Sequence, residues 1–345
     1  MKRRPSIAAT LALTATFTAG AQTGLPSAFA GQKQPTVALV RQLSTGDFFA
    51  QWLAGARDEA RRLGIRLVIY SADGNDAKQA SDLQLAINQK VDAIIVDHGR
   101  APTLAPLLDR AVAAGIKTVT FDVGTGNKQV VQIAQNDFAM GLLIANRMLA
   151  DLNGAGQVGL VFVGGFDPLE KRKAVWDAVK RFYPAVRQVA QWGTVSSNTI
   201  GEVQSQTNAA LLANPNMRAI LAPYDAFATG AMKAVQAAKK NVKVYGIDIS
   251  TADIGQMTAP GSPWVATAAT NPSDIGRTSV RAAARLIAGE TLPRYVLIEP
   301  QLVTQAFLRS RNVRNMADLA RALPAFNDSG LLRAPWMQAL YQKNR

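Results

Sequence analysis

A chain of 345 residues, 48% apolar and 18% charged, is globular in composition and too long for one ordinary core, so two domains are expected. Cysteine is absent, which excludes disulfides, thiolate metal sites, catalytic thiols and a lipid-anchoring cysteine. The formal net charge is +14, but the basic residues are scattered over helix faces, as at Arg57, Arg61 and Arg62, with no dense run and no interleaved aromatic stripe. A solvated basic surface is expected, and no nucleic-acid partner.

The first 30 residues read as a secretory signal peptide. Lys2, Arg3 and Arg4 form a charged start, Ile7 to Ala21 an apolar run, and Ala28-Phe29-Ala30 puts small residues at the two positions a signal peptidase reads. Cleavage after Ala30 and export to the periplasm are expected, leaving a formal +11 on the remainder. Later apolar runs are all shorter than the roughly 18 residues of a spanning helix.

From Pro35 the pattern is regular. Strands are expected at Thr36–Val40, Ile65–Tyr70, Ala93–Val96 and Thr118–Phe121, alternating with helices over Asp47–Leu63, Asp76–Gln89 and Thr103–Ala114. A strand at Val130–Ala134 then leads through Asn136-Asp137 into a helix over Phe138–Leu152, and a second series begins. Its strands fall at Val158–Val163, Val186–Gln191, Arg218–Leu221, Val242–Ile247 and Val265–Thr270. Its helices fall at Leu169–Phe182, Thr199–Ala213, Ala226–Ala238, Ala252–Met257 and Ser273–Ala288. Strands apolar throughout, alternating with helices, mean parallel sheets covered on both faces. The fold class is α/β: two doubly wound parallel-sheet lobes. After Asn312 a helix from Asn315 that stops before Pro324 is expected, then an irregular wrap pinned on a lobe by Phe326, Leu331, Trp336 and Tyr341.

In open α/β sheets ligands bind outside the carboxyl ends of the strands. The residues there are Ser44–Phe49, Asp97-His98, Asp122, Phe166 to Arg172, Trp192, Tyr224-Asp225 and Asp248. Carboxylates, one arginine and flat aromatics suit a neutral polyhydroxylated ligand: carboxylates accept from hydroxyls, Arg donates, and aromatic faces cover the C–H faces of a ring. Any one Asp could instead cap a turn. The same residue type after three strands favours the site. His98 is the sole histidine, so neither a metal site nor a Ser–His pair is expected. Trp176 reads as core. Gly154 to Gly159 matches G-x-G-x-x-G, but a helix precedes it and a strand follows, the reverse of a dinucleotide site, so it reads as a turn. No cofactor is expected.

Eight fragments in order carry a resemblance: S-T-G-D-F-F (44–49), D-A-I-I-V-D (92–97), T-V-T-F-D (118–122), I-A-Q-N-D-F-A-M-G (133–141), E-K-R-K-A-V-W (170–176), A-P-Y-D-A-F-A-T-G-A (222–231), V-Y-G-I-D (244–248) and A-A-T-N-P-S-D-I-G (268–276). From about Pro35 to Gln305 the chain resembles the periplasmic sugar-binding proteins of the ribose/galactose type, which deliver ligand to ABC importers. The resemblance implies two lobes joined by three crossings near 134–137, 269–271 and 300–304. One lobe takes residues 31–136 and 271–299, the other 137–270 and 300–311, with 312–345 packed on a lobe. It implies hinge closure on a monosaccharide or polyol, a monomer, a membrane permease as partner, and no catalysis.

Position by position, Phe48 and Phe49 would lie against the sugar. Asp97, Asp122 and Asp137 would bond it from the first lobe and hinge, and Arg172 and Asp248 from the second. Thr270 would sit at the second crossing, and Trp192 would close the other ring face. Tyr224 falls where the ribose binders have Asn, Val123 where they have Arg, Asp97 where they have Asn, and Gly46-Asp47 where they often have Asn-Pro. Fewer donors and more bulk imply an altered pocket, for a smaller polyol, another pentose or a modified sugar. A sensory receptor for a chemoreceptor or kinase is the alternative, and a periplasmic sugar-processing enzyme the third. Cytosolic sugar repressors share the core, but carry a helix-turn-helix where this chain has its apolar leader.

Overall fold

The computed structural model describes residues 24–345. A helical turn, α1 (Ser27–Ala30), precedes the first strand–helix series. That series is β1 (Thr36–Arg41), α2 (Asp47–Leu63), β2 (Arg66–Ser71), α3 (Asp76–Asn88), β3 (Ala93–Asp97), α4 (Ala101–Ala113), β4 (Lys117–Phe121) and β5 (Val131–Gln135). The second series runs α5 (Asp137–Leu152), β6 (Gly156–Val161), α6 (Asp167–Phe182), β7 (Val186–Trp192), α7 (Thr199–Ala213), β8 (Met217–Ala222), α8 (Asp225–Ala237), β9 (Lys243–Ile247), α9 (Thr251–Thr258) and β10 (Trp264–Ala269). The chain then returns through α10 (Pro272–Ile287), β11 (Tyr295–Ile298), β12 (Gln301–Thr304) and α11 (Gln305–Ser310), ending in α12 (Met316–Ala322) and α13 (Met337–Lys343).

Two six-stranded sheets result, ordered β11-β5-β4-β3-β1-β2 and β12-β10-β9-β8-β6-β7. All pairings are parallel except β10 with β12. The central strands are buried on both faces, which is why they are apolar throughout. The chain passes between the sheets at Asn136, at Thr270-Asn271 and at Glu299-Pro300. Asn136 and Asn271 do local work there: each side chain accepts from a backbone N–H of the helix it opens, at 3.3 and 3.0 Å. The Gly154–Gly159 string is a turn followed by a strand, and Trp176 is core, with its indole N–H donated to Gln188 at 2.8 Å.

Helices α2 and α10 touch backbone to backbone. A Cβ on Gly55 would meet the Ser273 carbonyl oxygen at 2.0 Å, and one on Gly276 would meet that of Trp52 at 2.1 Å. No larger residue fits at either crossing point. Behind this contact Arg281 is fully buried, donating to both oxygens of Glu59 at 2.9 and 3.2 Å and to Asp328.

One expectation changes. The C-terminal segment does not pack on one lobe. Val313, Leu319 and Phe326 lie in the core of the second lobe, whereas Trp336, Met337, Leu340 and Tyr341 lie in that of the first. The intervening residues cross beside the hinge, where Asn271 bonds the Phe326 carbonyl and Arg281 pairs with Asp328 at 2.9 Å. The leader expectation falls mostly outside the described residues, but its last turn does not. Phe29 is buried against Trp336, with ring centroids 5.0 Å apart.

Candidate ligand-binding site

Three strands of the two sheets end in the same way. His98 after β3, Asp122 after β4 and Asp248 after β9 all have left-handed backbones, with φ of 58°, 53° and 75°. For a non-glycine residue that costs about 1 kcal/mol each. It also breaks the strand's alternation, so successive residues leave the sheet at its carboxyl edge, where a ligand enters.

Asp122 is 2% exposed, and neither of its carboxylate oxygens has a hydrogen-bond partner. Burial, with the charge of Asp137, pushes its pKa up to about 8, opposed by His98 and Arg172. A buried acceptor without a donor costs about 1–3 kcal/mol, a deficit that ligand hydroxyls are suited to remove. Around it, Arg172 on α6 joins three elements: its guanidinium donates to Asp137 (2.9 Å), Asp248 (3.3 Å) and the Pro223 carbonyl (2.8 Å). One oxygen each of Asp137 and Asp248 remains without a partner. Burial alone would lower the Arg172 pKa, but Asp248, Asp137 and Asp122 outweigh it and hold the guanidinium charged. Burial raises the Asp137 carboxyl against the charge of Arg172.

Most of the remaining lining is apolar. Leu43, Phe166, Pro168, Leu169 and Val195 face the cleft with Tyr224, while the edge-to-face pair Phe48–Phe49 (5.4 Å, 80°) forms the first-lobe side. His98, Gln135, Arg172 and Asp248 supply the polar lining. Past Phe49 and Tyr224 the cleft opens into a polar chamber of about 250 Å³ lined by Asp47, Asn198, Asp225, Ser250 and Asp253. The lobes meet over the mouth: Asp47 accepts from Ala252 N–H at 3.0 Å, and Arg100 donates to the Gly164 carbonyl at 3.2 Å with its guanidinium over the Phe166 ring.

Of the residues expected in the site, Phe48, Phe49, Arg172, Tyr224 and Asp248 line the cleft, and Asp122 and Asp137 stand immediately behind. Three are placed otherwise. Asp97 is fully buried and turned to Arg41 (3.0 Å) and His98 (2.6 Å). Thr270 donates to Gln135 at 2.6 Å, joining the second crossing to the first. Trp192 is withdrawn into the second lobe, its indole N–H donated to Thr207 at 2.9 Å. The sequence reading missed Leu43, Gln135 and Val195 as lining residues, and set His98 aside. Gln135 ends a strand at a crossing and could have been read from that position; Leu43 and Val195 sit in loops with no signal to mark them.

Two lobes with a carboxylate-rich cleft at opposed strand ends define a solute-binding receptor. Residues 37–291 match the periplasmic binding protein domain family, and the chain belongs to it. It is the solute-binding component of a sugar ABC importer, not an enzyme, which implies export and a permease partner. It is similar to the ribose import binding protein of Bacillus subtilis, 25% identical over 88% of this chain and 100% of that protein. Among solved structures it is similar to the 5-methylthioribose transporter solute-binding protein of Thermotoga lettingae in complex with 5-methylthioribose. That one is 41% identical, with TM-score 0.88, covering 92% of this chain and 99% of that one. A sugar ABC transporter protein from Yersinia enterocolitica is 31% identical, with TM-score 0.90 over 93% of this chain and 98% of that one. Both alignments are longer than residues 1–311 can supply, so they take in part of the C-terminal segment. No helix among the described residues is long and apolar enough to cross a membrane.

Proposed function

We propose that this protein captures a pentose carrying an apolar substituent, of the 5-methylthioribose kind, between its lobes and delivers it to a membrane permease. The observation that carries the reading is the mixed lining, in which Arg172, Asp248 and His98 stand among Leu43, Phe166, Pro168, Leu169 and Val195, with Asp122 and Asp137 immediately behind. Ring hydroxyls donate to the unpartnered oxygens of Asp122, Asp137 and Asp248, and Arg172 donates to a ring or hydroxyl oxygen. Phe48 and Phe49 cover a C–H face of the ring, and the alkylthio end lies on the apolar lining. Tyr224 in place of a polar amide fits the same mixture. The similarity to a 5-methylthioribose-bound protein supports it independently.

In this reading residues up to 136 and 271–299 form one lobe, 137–270 and 300–311 the other, and the protein works as a monomer. Ligand between the lobes favours the closed state, the one presented to the permease. Calorimetric titration with 5-methylthioribose, D-ribose and allitol tests it. The expected order is 5-methylthioribose tightest, by about tenfold or more over ribose, as burial of one or two apolar groups predicts. Ribose binding as tightly as 5-methylthioribose overturns the assignment of the apolar lining. No response to any of the three overturns the sugar reading.

A further inference from the structure

His98 lines the cleft in a setting that a spacer would not need. Its backbone is held in the left-handed region by two hydrogen bonds, from its N–H to the Phe121 carbonyl (2.9 Å) and to its own carbonyl from the Gln79 amide (2.7 Å). Its ring is wedged edge-on between Phe49 (5.3 Å) and Phe121 (4.9 Å). Nδ1 lies 2.6 Å from Asp97, whose other oxygen accepts from the Arg41 guanidinium at 3.0 Å. Asp97 is therefore an ionised acceptor, and Nδ1 carries a proton. Nε2 points the other way, 3.6 Å from Asp122 Oδ2, too far for a direct hydrogen bond, and the ring lines the cleft.

Building on the sugar-receptor reading, we propose that His98 Nε2 and Asp122 Oδ2 form a donor–acceptor pair that grips one free ligand hydroxyl, making His98 a specificity-determining residue whose state gates affinity with pH. A hydroxyl accepts one hydrogen bond and donates another. It matches the pair when a single proton is shared between Nε2 and Oδ2. With none, two acceptors face it. With two, only the weaker carbonyl oxygen of a neutral carboxyl is left to accept. A deoxy or O-methylated position fails in every state.

The surroundings bear on both limbs. Burial would lower the His98 pKa, but Asp97, Asp122 and Asp248 outweigh it and hold it above the ordinary imidazole value, which moves the alkaline limb upward in pH. Arg172, Asp137 and Lys171 are the remaining charges that act on Asp122 or its neighbours. Phe49, Phe121 and the Arg41–Asp97 pair close the other sides.

The test is the affinity of the full chain for 5-methylthioribose, and for ribose, from pH 5.5 to 9.5, in wild type and in His98→Gln. The wild type should pass through a maximum between the two ionisations of the pair and fall on the alkaline side, by up to about tenfold per pH unit at its steepest. His98→Gln keeps a donor that does not titrate, so it should lose the alkaline limb. A wild-type profile flat over this range, or an alkaline limb unchanged in His98→Gln, overturns the proposal while leaving the receptor reading intact. The wild-type profile needs no variant, so a poorly folding His98→Gln does not spoil the test. Absence of sugar binding at every pH brings down both readings, a separate and recognisable result.

Discussion

Replacing Asp122 by Asn should stabilise the ligand-free protein and disable it. Asp122 is 2% exposed and neither oxygen is hydrogen-bonded, so the native state holds an acid that would ionise freely in the unfolded chain. With a folded pKa of about 8 against 3.8, the native state binds more protons than the unfolded one across that interval. Stability contributed by a raised acid is intact below the lower value and declines as pH rises, by about 1.4 kcal/mol per unit. At pH 7 the accumulated cost is about 4 kcal/mol, and Asn does not incur it. For a lobe of this size that corresponds to a rise of about 8–16 °C in melting temperature at pH 7, vanishing near pH 4. Scanning calorimetry of both proteins without ligand at pH 4, 5.5 and 7 reads the effect. The same variant should bind 5-methylthioribose about tenfold or more weakly, since the amide nitrogen replaces an acceptor with a donor. Equal melting temperatures at pH 7, or unchanged affinity, would refute the reasoning that Asp122 is kept uncomfortable for the ligand's sake.

Arg172→Gln should abolish measurable binding and lower stability by about 3–5 kcal/mol in urea unfolding, because Asp137 and Asp248 lose the cation they are paired with. Leu169→Asn should cost about tenfold in 5-methylthioribose affinity and little for ribose; an equal loss for both would mean that Leu169 does not touch the substituent. A chain starting at Gly31 should melt lower than one starting at Gly24, since Phe29 loses a burial worth about 1.5–3 kcal/mol; equal melting would make the α1 contact with Trp336 incidental.

Most of the architecture was legible because a parallel sheet buried on both faces leaves a plain mark. Runs such as Ala93–Val96 and Thr118–Phe121 have nothing polar to hide, and caps at Gly64 and Asn136 mark where helices stop and start. The return strands β11 and β12 were harder to see. Tyr295 and Leu297 face outward on an edge, four residues is too short for periodicity, and Pro300 interrupts them. The site was half legible for a related reason. Carboxylates after strands announce themselves, but the apolar half of the cleft comes from Leu43 and Val195, whose side chains look like any loop residue until two lobes bring them together. Trp192 misled because an aromatic after a strand carries no record of the Thr207 hydroxyl that draws it inward.

The segment from Phe326 to Leu331 has a mechanical consequence. It is moored to the second lobe at one end and to the first at the other, and five residues of backbone reach at most about 16–18 Å when pulled straight. While both moorings hold, that length sets a ceiling on how far the lobes can gape on this side. Opening beyond it would have to peel Trp336 and Tyr341, or Phe326, from a hydrophobic core. The empty receptor is thus leashed, and a shorter swing leaves less travel between encounter and capture.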